Sequence, residues 1–326
     1  MESLSEFEMI ARLFAPMAGE GAFELRDDAA VLAPNPGRDL VLTKDMLIEG
    51  VHFFADDPPA ALAHKALAVN MSDLAAKGAR PRGFLLGLGR SGKLDAQWLT
   101  GFAQGLAAAS GRFGCRLLGG DTVKAAQLIL SVTAFGEVPA GRMVRRETGK
   151  AGDVLFVTGT IGDAALGLKL RLEPDAGWVR HLGVEHRAAL LDRYLRPQPR
   201  LALAPALIDH ASAAMDISDG LVGDTAKLAP HLGRIVDIPS IPLSPAARAA
   251  LALAPELLDV ALTGGDDYEI LCAVPPEHEE KFAIHALQLG VPVTRIGRLV
   301  SEEVGTQWRD TDGRARHFLH GSYRHF

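Results

Sequence analysis

Cysteine and long apolar runs are scarce in this chain. Its 326 residues include two cysteines, Cys115 and Cys272, each flanked by apolar neighbours. Isolated cysteines of this kind are typical of buried thiols in a reducing compartment, and they argue against a disulfide or a catalytic thiol. No apolar run is long enough to span a bilayer, and the N-terminus lacks the basic and apolar regions of a signal peptide. We therefore predict a cytoplasmic protein with no membrane partner.

Concentrated positive charge is also missing. The formal net charge is −6, and no stretch of the chain is strongly basic. Nucleic-acid-binding proteins need a basic patch to neutralise phosphates, so we expect no nucleic-acid partner. Because 48% of the residues are apolar, the chain can fill a sizeable core, and its length predicts two domains.

Several common catalytic motifs are absent as well. The chain has no G-x-x-x-x-G-K-[ST] P-loop, no H-E-x-x-H metal motif and no G-x-S-x-G nucleophile elbow. Gly87–Gly92 fits G-x-G-x-x-G, but the acidic residue that should hold a ribose about 20 positions later is missing. The pattern favours a glycine-rich strand exit followed by Asp95 as a helix N-cap. A dinucleotide-dependent oxidoreductase stays a less favoured alternative.

Alternating strand-like and helix-like segments predict an α/β fold with mixed sheets. A Gly-, Pro- and Arg-rich stretch over 139–153 marks a domain boundary, which we place between 1–140 and 141–326. The predicted strands are Ala29–Leu32, Leu40–Thr43, Phe84–Leu88, Arg116–Leu118, Leu128–Glu137, Val154–Thr158, Ala213–Ile217, Ile235–Ile238, Asp259–Thr263, Tyr268–Val274 and Thr294–Val300. The predicted helices are Ser5–Met17, Pro59–Lys77, Asp95–Ser110, Gly162–Arg171, Val184–Tyr194, Leu201–His210, Asp224–Leu232, Pro245–Leu253 and Pro276–Leu289.

Acidic residues recur beside these apolar runs. Five segments share the feature: Arg26-Asp27-Asp28, Thr43-Lys44-Asp45, Gly119-Gly120-Asp121, Asp216-Ile217-Ser218-Asp219-Gly220 and Gly264-Gly265-Asp266-Asp267-Tyr268-Glu269. Carboxylates gathered at one end of a sheet repel each other by roughly 1 kcal/mol per close pair in water, and by more when partly buried. Since no matching set of lysines follows them in the sequence, a divalent cation is the economical counter-charge, and Mg²⁺ that bridges to phosphates fits oxygen ligands.

Any one Gly-Gly-Asp is more often a turn than a ligand site, so the magnesium hypothesis rests on the whole set. Asp73 is its most informative member. It lies three residues after Asn70 in an otherwise apolar helix, where a carboxylate is costly unless it has a partner. The alternative is a solvent-facing Asp73 that pairs with Lys77, four residues further on.

Together these segments resemble the thiamine-monophosphate kinase family of the PurM-like superfamily, over essentially the whole chain. The resemblance is carried, in the family's order and spacing, by Asp27-Asp28-Ala29-Ala30, the segment from Asp45 to Phe53, the segment from Lys65 to Ala76, Gly119-Gly120-Asp121-Thr122, Ser218-Asp219-Gly220-Leu221 and Gly264-Gly265-Asp266-Asp267-Tyr268-Glu269. It implies a PurM-like two-domain architecture, with an N-terminal domain that forms a dimeric, β-barrel-like interface and a C-terminal α/β domain. It also implies direct in-line transfer of the γ-phosphoryl group of ATP to thiamine monophosphate in a homodimer.

The same resemblance implies roles for individual residues. The positions similar to the family's magnesium ligands are Asp28, Thr43, Lys44, Asp45, Asp73, Asp121, Asp216 and Asp219. Those similar to its ATP contacts are Gly120, Asp121, Arg146 and Ser218, and those similar to its substrate contacts are His52, Asp266 and Tyr323. Asp45, Asp121 and Arg146 are the implied catalytic residues.

Three positions depart from the family pattern. Lys44 stands where Ser or Thr is common, Arg26 replaces a Gly, and Asp266 replaces a Glu. The lysine could bond phosphate instead of holding Mg²⁺, and Asp266 keeps the charge with one methylene less reach. A PurM-like enzyme with another acceptor, similar to aminoimidazole ribonucleotide synthetase, stays the main alternative.

Overall fold

The computed structural model describes residues 6–92, 94–318 and 321. They divide into two compact units, one within Met1–Leu74 and Ala79–Arg142 and the other within Ala75–Gly78 and Met143–Phe326. Each contains one sheet with helices, so the predicted α/β class with mixed sheets is confirmed. Among the described residues, no helix combines the length and the hydropathy that a membrane crossing requires.

The first unit is built on a four-stranded sheet in the order β1-β4-β2-β3, in which only β2 and β3 are parallel. Its strands are β1 Arg38–Ile48, β2 Arg80–Arg90, β3 Arg116–Lys124 and β4 Ile129–Pro139. Its helices are α1 Glu6–Met9, α2 Pro59–Ala76 and α3 Ala96–Phe113, with further helical turns at Ile10–Phe14, Ala15–Met17 and Phe23–Leu25.

Local chemistry accounts for the two long helices. The Asp95 carboxylate caps α3 by accepting a hydrogen bond from the Trp98 N–H at 2.8 Å, as the sequence predicted, and Gly114 ends the helix at φ 64°. Helix α2 is apolar on almost all sides and is buried along nearly its whole length. It ends before Gly78, whose φ of 71° suits a residue without a Cβ.

The second unit is built on a seven-stranded sheet in the order β11-β10-β7-β9-β5-β8-β6. Its strands are β5 Val154–Thr158, β6 Ala213–Ile217, β7 Gly233–Asp237, β8 Glu269–Val274, β9 Val293–Val300, β10 Thr306–Arg309 and β11 Ala315–Arg316. Its helices are α4 Asp163–Leu172, α5 Gly177–His181, α6 Val184–Leu195, α7 Ala204–His210, α8 Leu221–Lys227, α9 Pro245–Leu253, α10 Leu257–Thr263 and α11 Glu279–Gln288.

Both faces of this sheet are covered. Along β5, Leu155 and Val157 belong to one apolar cluster, whereas Val154 and Phe156 belong to another. This alternation follows from the two-residue period of a strand. Every residue of β5, β6 and β8 is buried, which explains why these strands read as continuous apolar runs in the sequence.

Four sequence expectations about strands were wrong. Ala29–Leu32 forms no strand, and Asp259–Thr263 lies in helix α10, whose buried Leu257, Ala261 and Leu262 follow a helical spacing. Strand β1 continues to Ile48 and β3 to Lys124, so Asp45 and Asp121 lie within strands and not after them. Exposed and half-buried residues make up most of both continuations, and periodicity alone did not reveal them.

Cys115 and Cys272 are free and buried, as predicted. Burial raises the pKa of the Cys115 thiol to about 12 and raises that of Cys272 as well. A thiol in either place is protonated at neutral pH, which leaves no reactive thiolate.

Candidate active site

Strand β1 presents the Thr43-Lys44-Asp45 segment to two different faces of the first unit's sheet. Successive side chains on a strand point to opposite sides, so Thr43 and Asp45 share the face that helix α2 covers. On that face the Thr43 hydroxyl donates a short hydrogen bond to the Asp73 carboxylate. Asp73 is half-buried, so its carboxylate is not a surface group whose charge is stabilised by water alone.

Asp45 and Asp73 act on each other electrostatically. Burial, and then the negative charge of Asp73, raise the pKa of Asp45 to about 6. One turn before Asp73, the buried side-chain oxygen of Asn70 has no hydrogen-bond partner among the described residues. Two interacting carboxylates and an unmatched carbonyl oxygen are oxygen donors of the kind that a hard divalent cation takes.

Lys44 points to the opposite, open face of the sheet, into a pocket of about 740 Å³. Its ammonium donates a hydrogen bond to the Ser131 hydroxyl at 2.6 Å. Asp28, Gly120 and Asp121 line the same pocket, together with apolar side chains of the N-terminal segment and the sheet. The structure therefore brings four of the predicted site residues together around one cavity.

The pairing of β2 with β3 fixes the position of Gly120 and Asp121. Asp121 lies opposite Gly87 in the parallel ladder, and both belong to the open face. A Cβ on Gly120 would lie 1.9 Å from the Leu86 carbonyl oxygen, so only glycine fits there. Close packing of two backbones accounts for this glycine.

His52 lies in the turn after β1. Its Nδ1 accepts a hydrogen bond from the Ile48 N–H at 3.1 Å, which leaves Nε2 as the remaining donor of the neutral ring. The ring is half-buried and its orientation is fixed by the backbone. It is therefore a defined hydrogen-bond donor and not a freely turning loop side chain.

In the second unit, the acidic segment after β6 folds around a buried carboxylate that sequence reasoning missed. Asp224 is fully buried in helix α8, and one of its oxygens accepts hydrogen bonds from the N–H groups of Ser218 (3.0 Å) and Asp219 (2.9 Å). Lys227 donates to the other oxygen at 2.8 Å and also forms an ion pair with Asp219. Although burial acts against it, these contacts raise the pKa of Lys227.

The expectation that no lysine balances the acidic set is therefore wrong for Asp219. Asp216 is itself buried in β6 and lies two residues before Ser218. A signal for Asp224 was available, since an acid in the first turn of a helix after a glycine is typical of a loop that uses its carboxylate locally. The partner Lys227, one turn further on, follows from the same reasoning.

The Gly264–Glu269 segment packs backbone against backbone on the Ser218 loop. The Asp266 N–H donates to the Ser218 carbonyl at 2.9 Å, and the Tyr268 N–H donates to the Ile217 carbonyl at 2.8 Å. Asp266 adopts a φ of 72° and Tyr268 a φ of 50°. Left-handed backbone is uncommon in residues that carry side chains, and it concentrates at functional loops.

Glu269 was not predicted as a key residue, although it anchors this region. It is fully buried and accepts hydrogen bonds from Thr158 (2.6 Å), Arg193 (2.7 Å) and Arg200 (2.5 and 2.7 Å). Hydrogen bonding to Glu269 raises the pKa of Arg200 against the opposing effect of burial. Next to it, both carboxylate oxygens of the buried Asp267 accept from the Gly162 N–H, at 3.0 and 2.8 Å.

Arg146 and Tyr323 complete the set of predicted site residues. The Arg146 side chain is exposed, while its carbonyl accepts a hydrogen bond from the Ala229 N–H at 2.8 Å. Tyr323, predicted as a substrate contact, lies outside the described residues. The Gly87–Gly92 segment is no strand-to-helix turn at its start, because Gly87 and Gly89 are paired inside β2. That geometry disfavours the dinucleotide alternative, which needs the glycines in the turn itself.

Known proteins resemble this chain over both of its units. The family model described as "AIR synthase related protein, N-terminal domain" matches residues 26–138, and the model described as "AIR synthase related protein, C-terminal domain" matches residues 150–309. The thiamine-monophosphate kinase of Caulobacter vibrioides is 42% identical over 97% of this chain and 91% of its own length.

Solved structures give the same result. The thiamine-monophosphate kinase of Stenotrophomonas maltophilia K279a is similar with a TM-score of 0.79 and 37% identity, over 90% of this chain and 91% of that chain. A structure described as AaThiL complexed with AMPPCP and TMP has a TM-score of 0.78 and 30% identity, over 99% of this chain and 97% of that chain. The likeness therefore extends over both units.

Proposed function

The chain belongs to the thiamine-monophosphate kinase family, and we infer from this that it transfers the γ-phosphoryl group of ATP to thiamine monophosphate. The product is thiamine diphosphate, so the reaction is the last step in the synthesis of that cofactor. The observation that carries the proposal in this chain is the pocket of about 740 Å³, where Asp28, Lys44, Gly120 and Asp121 meet. It combines carboxylates, an ammonium and a glycine backbone, the groups that hold metal-bound phosphates.

Mg²⁺ is the cation that the acidic set fits. Its side-chain donors are oxygens, and the mutual repulsion of Asp45 and Asp73 and the unmatched Asn70 oxygen favour a positive charge close by. We assign the ions to Asp28, Thr43, Asp45, Asp73, Asp121, Asp216 and Asp219. The Lys44 ammonium has no lone pair, so Lys44 could bind a metal ion only through its backbone carbonyl oxygen. Bound Mg²⁺ neutralises charge on the transferring phosphoryl group.

Besides binding metal ions, the protein must position the two phosphate groups that react. The acceptor is itself a phosphate that is largely ionised at neutral pH, so direct in-line transfer requires no general base. Lys44, Arg146 and the Gly120 backbone hold phosphate oxygens, and Ser218 contacts ATP. Asp121 and Arg146 are the residues that we assign to the reacting phosphates, while Asp45, which lies with Thr43 on the opposite face of the sheet, is assigned a catalytic role through the metal ion that it holds.

The cationic end of thiamine monophosphate requires different groups. We assign Asp266 to the positive charge and the Nε2–H of His52 to a hydrogen bond, while a contact with Tyr323 stays a prediction from resemblance. The strained backbone at Asp266 supports this role, because the loop holds its carboxylate in a conformation that the surrounding hydrogen bonds must maintain.

We further propose that the enzyme is a cytoplasmic homodimer joined through the open face of the first unit's sheet. Leu42, Met46 and Val123 are large apolar residues on that face, and 62, 47 and 52% of their surfaces are exposed. The register places all three on the same side as Lys44 and Asp121. Leu42 and Met46 lie on one edge strand and Val123 on the other, so association through this face would cover exposed apolar side chains at both edges of the sheet.

A direct assay tests the activity. Protein, ATP, Mg²⁺ and thiamine monophosphate should yield thiamine diphosphate and ADP in equal amounts, measured by chromatography. Asp121→Asn should lower kcat by at least about 100-fold with unchanged folding, the scale of losing one electrostatic contact to a transition state. The matched control Asp312→Asn, in an exposed turn, should keep the wild-type rate. Free phosphate without the diphosphate product would contradict the proposed reaction.

A further inference from the structure

The second unit contains a histidine cluster that the proposed function does not use. Asp209 and His210 end helix α7, and His285 lies in the last turn of α11. One carboxylate oxygen of Asp209 and one ring nitrogen from each histidine all lie within 4.8 Å of one another. None of the three residues belongs to the magnesium, ATP or substrate set.

The topology places this cluster at the far end of β6 from the Ser218 loop. His210 lies three residues before the strand begins at Ala213, and Ser218 follows its last residue, Ile217. Five strand residues separate these ends by about 13 Å. The cluster is therefore a separate feature of the second unit and not an extension of its acidic loop.

The distance between the two imidazoles fits metal binding. His285 Nδ1 and His210 Nε2 are 3.4 Å apart. Two nitrogens bound to one tetrahedral Zn²⁺ at 2.0–2.1 Å must lie about 3.3–3.4 Å apart. The same spacing is also a long hydrogen bond, so the argument for an ion rests on this distance together with the Asp209 carboxylate oxygen, which lies within 4.8 Å of both nitrogens.

The surroundings of these rings favour an additional partner. His278 and His285 both stand nearly perpendicular to His210, at 90° and 82°, with 5.5 Å between ring centres. The Nδ1 atoms of His210 and His278 are buried and have no hydrogen-bond partner among the described residues. Two of the three imidazoles, His210 and His278, therefore carry a buried nitrogen that the protein's own hydrogen bonds do not satisfy.

The helices that carry the cluster are held firmly. Leu203, Ala206 and Leu207 on the α7 side pack in the same apolar cluster as Phe282 and Ala286 of α11. Ala286 follows His285 directly, and Leu207 lies three residues before His210. Packed backbone on both sides fixes the spacing of the ligand atoms before any ion arrives.

We propose that Asp209, His210 and His285 bind one divalent transition-metal ion of the Zn²⁺ class. Two imidazoles and a carboxylate are a common ligand set for such ions, and the fourth position is open to water. The ion joins α7 to α11 and stabilises the second unit. Mg²⁺ does not compete effectively there, because it prefers oxygen ligands in octahedral geometry.

The test uses untagged full-length protein in excess Mg²⁺ without ATP. Titration with Co²⁺, followed by visible absorption, should show one bound ion with the intense bands of nitrogen-containing, four-coordinate cobalt, and Zn²⁺ should displace it. His210→Ala and His285→Ala should weaken Zn²⁺ binding by at least about 10- to 100-fold, the effect already seen when only the surroundings of a ligand are changed. Zn²⁺ should raise the Tm of the wild type and of neither variant.

His231→Ala is the matched control, because His231 is an exposed histidine of the same unit outside the cluster. It should keep wild-type Zn²⁺ affinity and the wild-type shift in Tm. Asp209→Asn alters an exposed carboxylate and should fold normally, so its weaker binding would support the site even if a histidine variant were unstable. Equal Zn²⁺ affinity in the wild type, His210→Ala and His285→Ala, or no stoichiometric binding by the wild type, would overturn the proposal.

Discussion

Asp45 illustrates how burying one carboxylate beside another can lower the stability of the folded protein. Its pKa in the folded protein is about 6, against 3.8 for an unperturbed aspartate, because burial and Asp73 disfavour the charged form. The folded state therefore binds the proton more tightly than the unfolded state. This contribution to stability is fully present below about pH 4 and is lost as the pH rises through 6.

Asp45→Asn should remove this penalty. In EDTA at pH 8, we expect the variant to be more stable than the wild type by up to about 3 kcal/mol, which corresponds to a rise in pKa from 3.8 to about 6, and equally stable near pH 4. Denaturant unfolding at the two pH values measures the difference. With excess Mg²⁺ the wild type should become the more stable protein, since only the wild type keeps the Asp45 carboxylate that we propose as a metal ligand. Glu20→Gln, at an exposed glutamate, is the control, and an equal gain there would contradict the explanation.

Glu269 gives the opposite expectation. Glu269→Gln leaves Arg193 and Arg200, whose side chains are 18 and 23% exposed, without a negative partner. Removing one member of a buried ion pair costs about 3–5 kcal/mol, and the remaining solvent contact lowers our expectation to about 2–4 kcal/mol. Urea unfolding measures the loss.

The control for this variant is Asp192→Asn, which breaks the exposed ion pair between Asp192 and Arg196. Surface pairs contribute between 0 and 1 kcal/mol, so that change should be small. If both variants lost the same stability, burial of Glu269 would not be the cause. The prediction concerns stability, so circular dichroism must first show that each variant folds.

At the residue scale, the sequence revealed acids that stand in apolar surroundings but not their partners. Asp73 was predicted as a site residue because a carboxylate in an apolar helix is costly without a partner. Glu269 stands at the start of an apolar strand, so the same argument applied to it. Its arginines lie 69 and 76 residues away in the sequence. Pattern reasoning acts over one or two turns of helix, so a triad closed by the tertiary fold is invisible to it.

At the element scale, buried elements were predictable and partly exposed ones were not. Val154–Thr158, Ala213–Ile217 and Pro245–Leu253 were confirmed residue for residue, because burial makes their apolar patterns continuous or strictly periodic. The outer half of β3 is held by its ladder with β2 and carries largely exposed side chains. For this reason the sequence prediction wrongly placed Asp121 after a strand instead of within it.

Gly265 decides how two loops of the second unit fit together. A Cβ at this position would lie 2.2 Å from the Ser218 carbonyl oxygen, which accepts the Asp266 N–H. Gly265→Ala should therefore push the loops apart and destabilise the protein by roughly 1–3 kcal/mol, with faster amide exchange at Asp266. Thermal unfolding and hydrogen exchange provide the measurements.

Gly177→Ala is the matched control in the same unit. Nothing lies within 4 Å of a Cβ there, and the residue is the first of helix α5. We expect a neutral or slightly stabilising effect, because alanine reduces the freedom of the unfolded chain. A loss equal to that of Gly265→Ala would indicate that the close approach to Ser218 carries no special cost.

At the scale of the whole molecule, composition and alternation gave the class but not the topology. The order β1-β4-β2-β3 places the first and last strands of the first unit side by side, and no local pattern specifies that pairing. Its consequence is functional, because β1 and β3 then lie at the two edges and their residues share one open face. Lys44 and Asp121 reach the same pocket for this reason.

The apolar residues of that open face predict how the enzyme assembles. Wild-type protein should sediment at twice the chain mass of 34.7 kDa, because association through this face would cover the exposed side chains of Leu42, Met46 and Val123. Leu42→Glu should shift the equilibrium to monomer, since burying an unpaired carboxylate opposes association. Leu253→Glu, at an exposed leucine of α9, should stay dimeric. A monomeric wild type, or a dimer unaffected by Leu42→Glu, would assign this face another role.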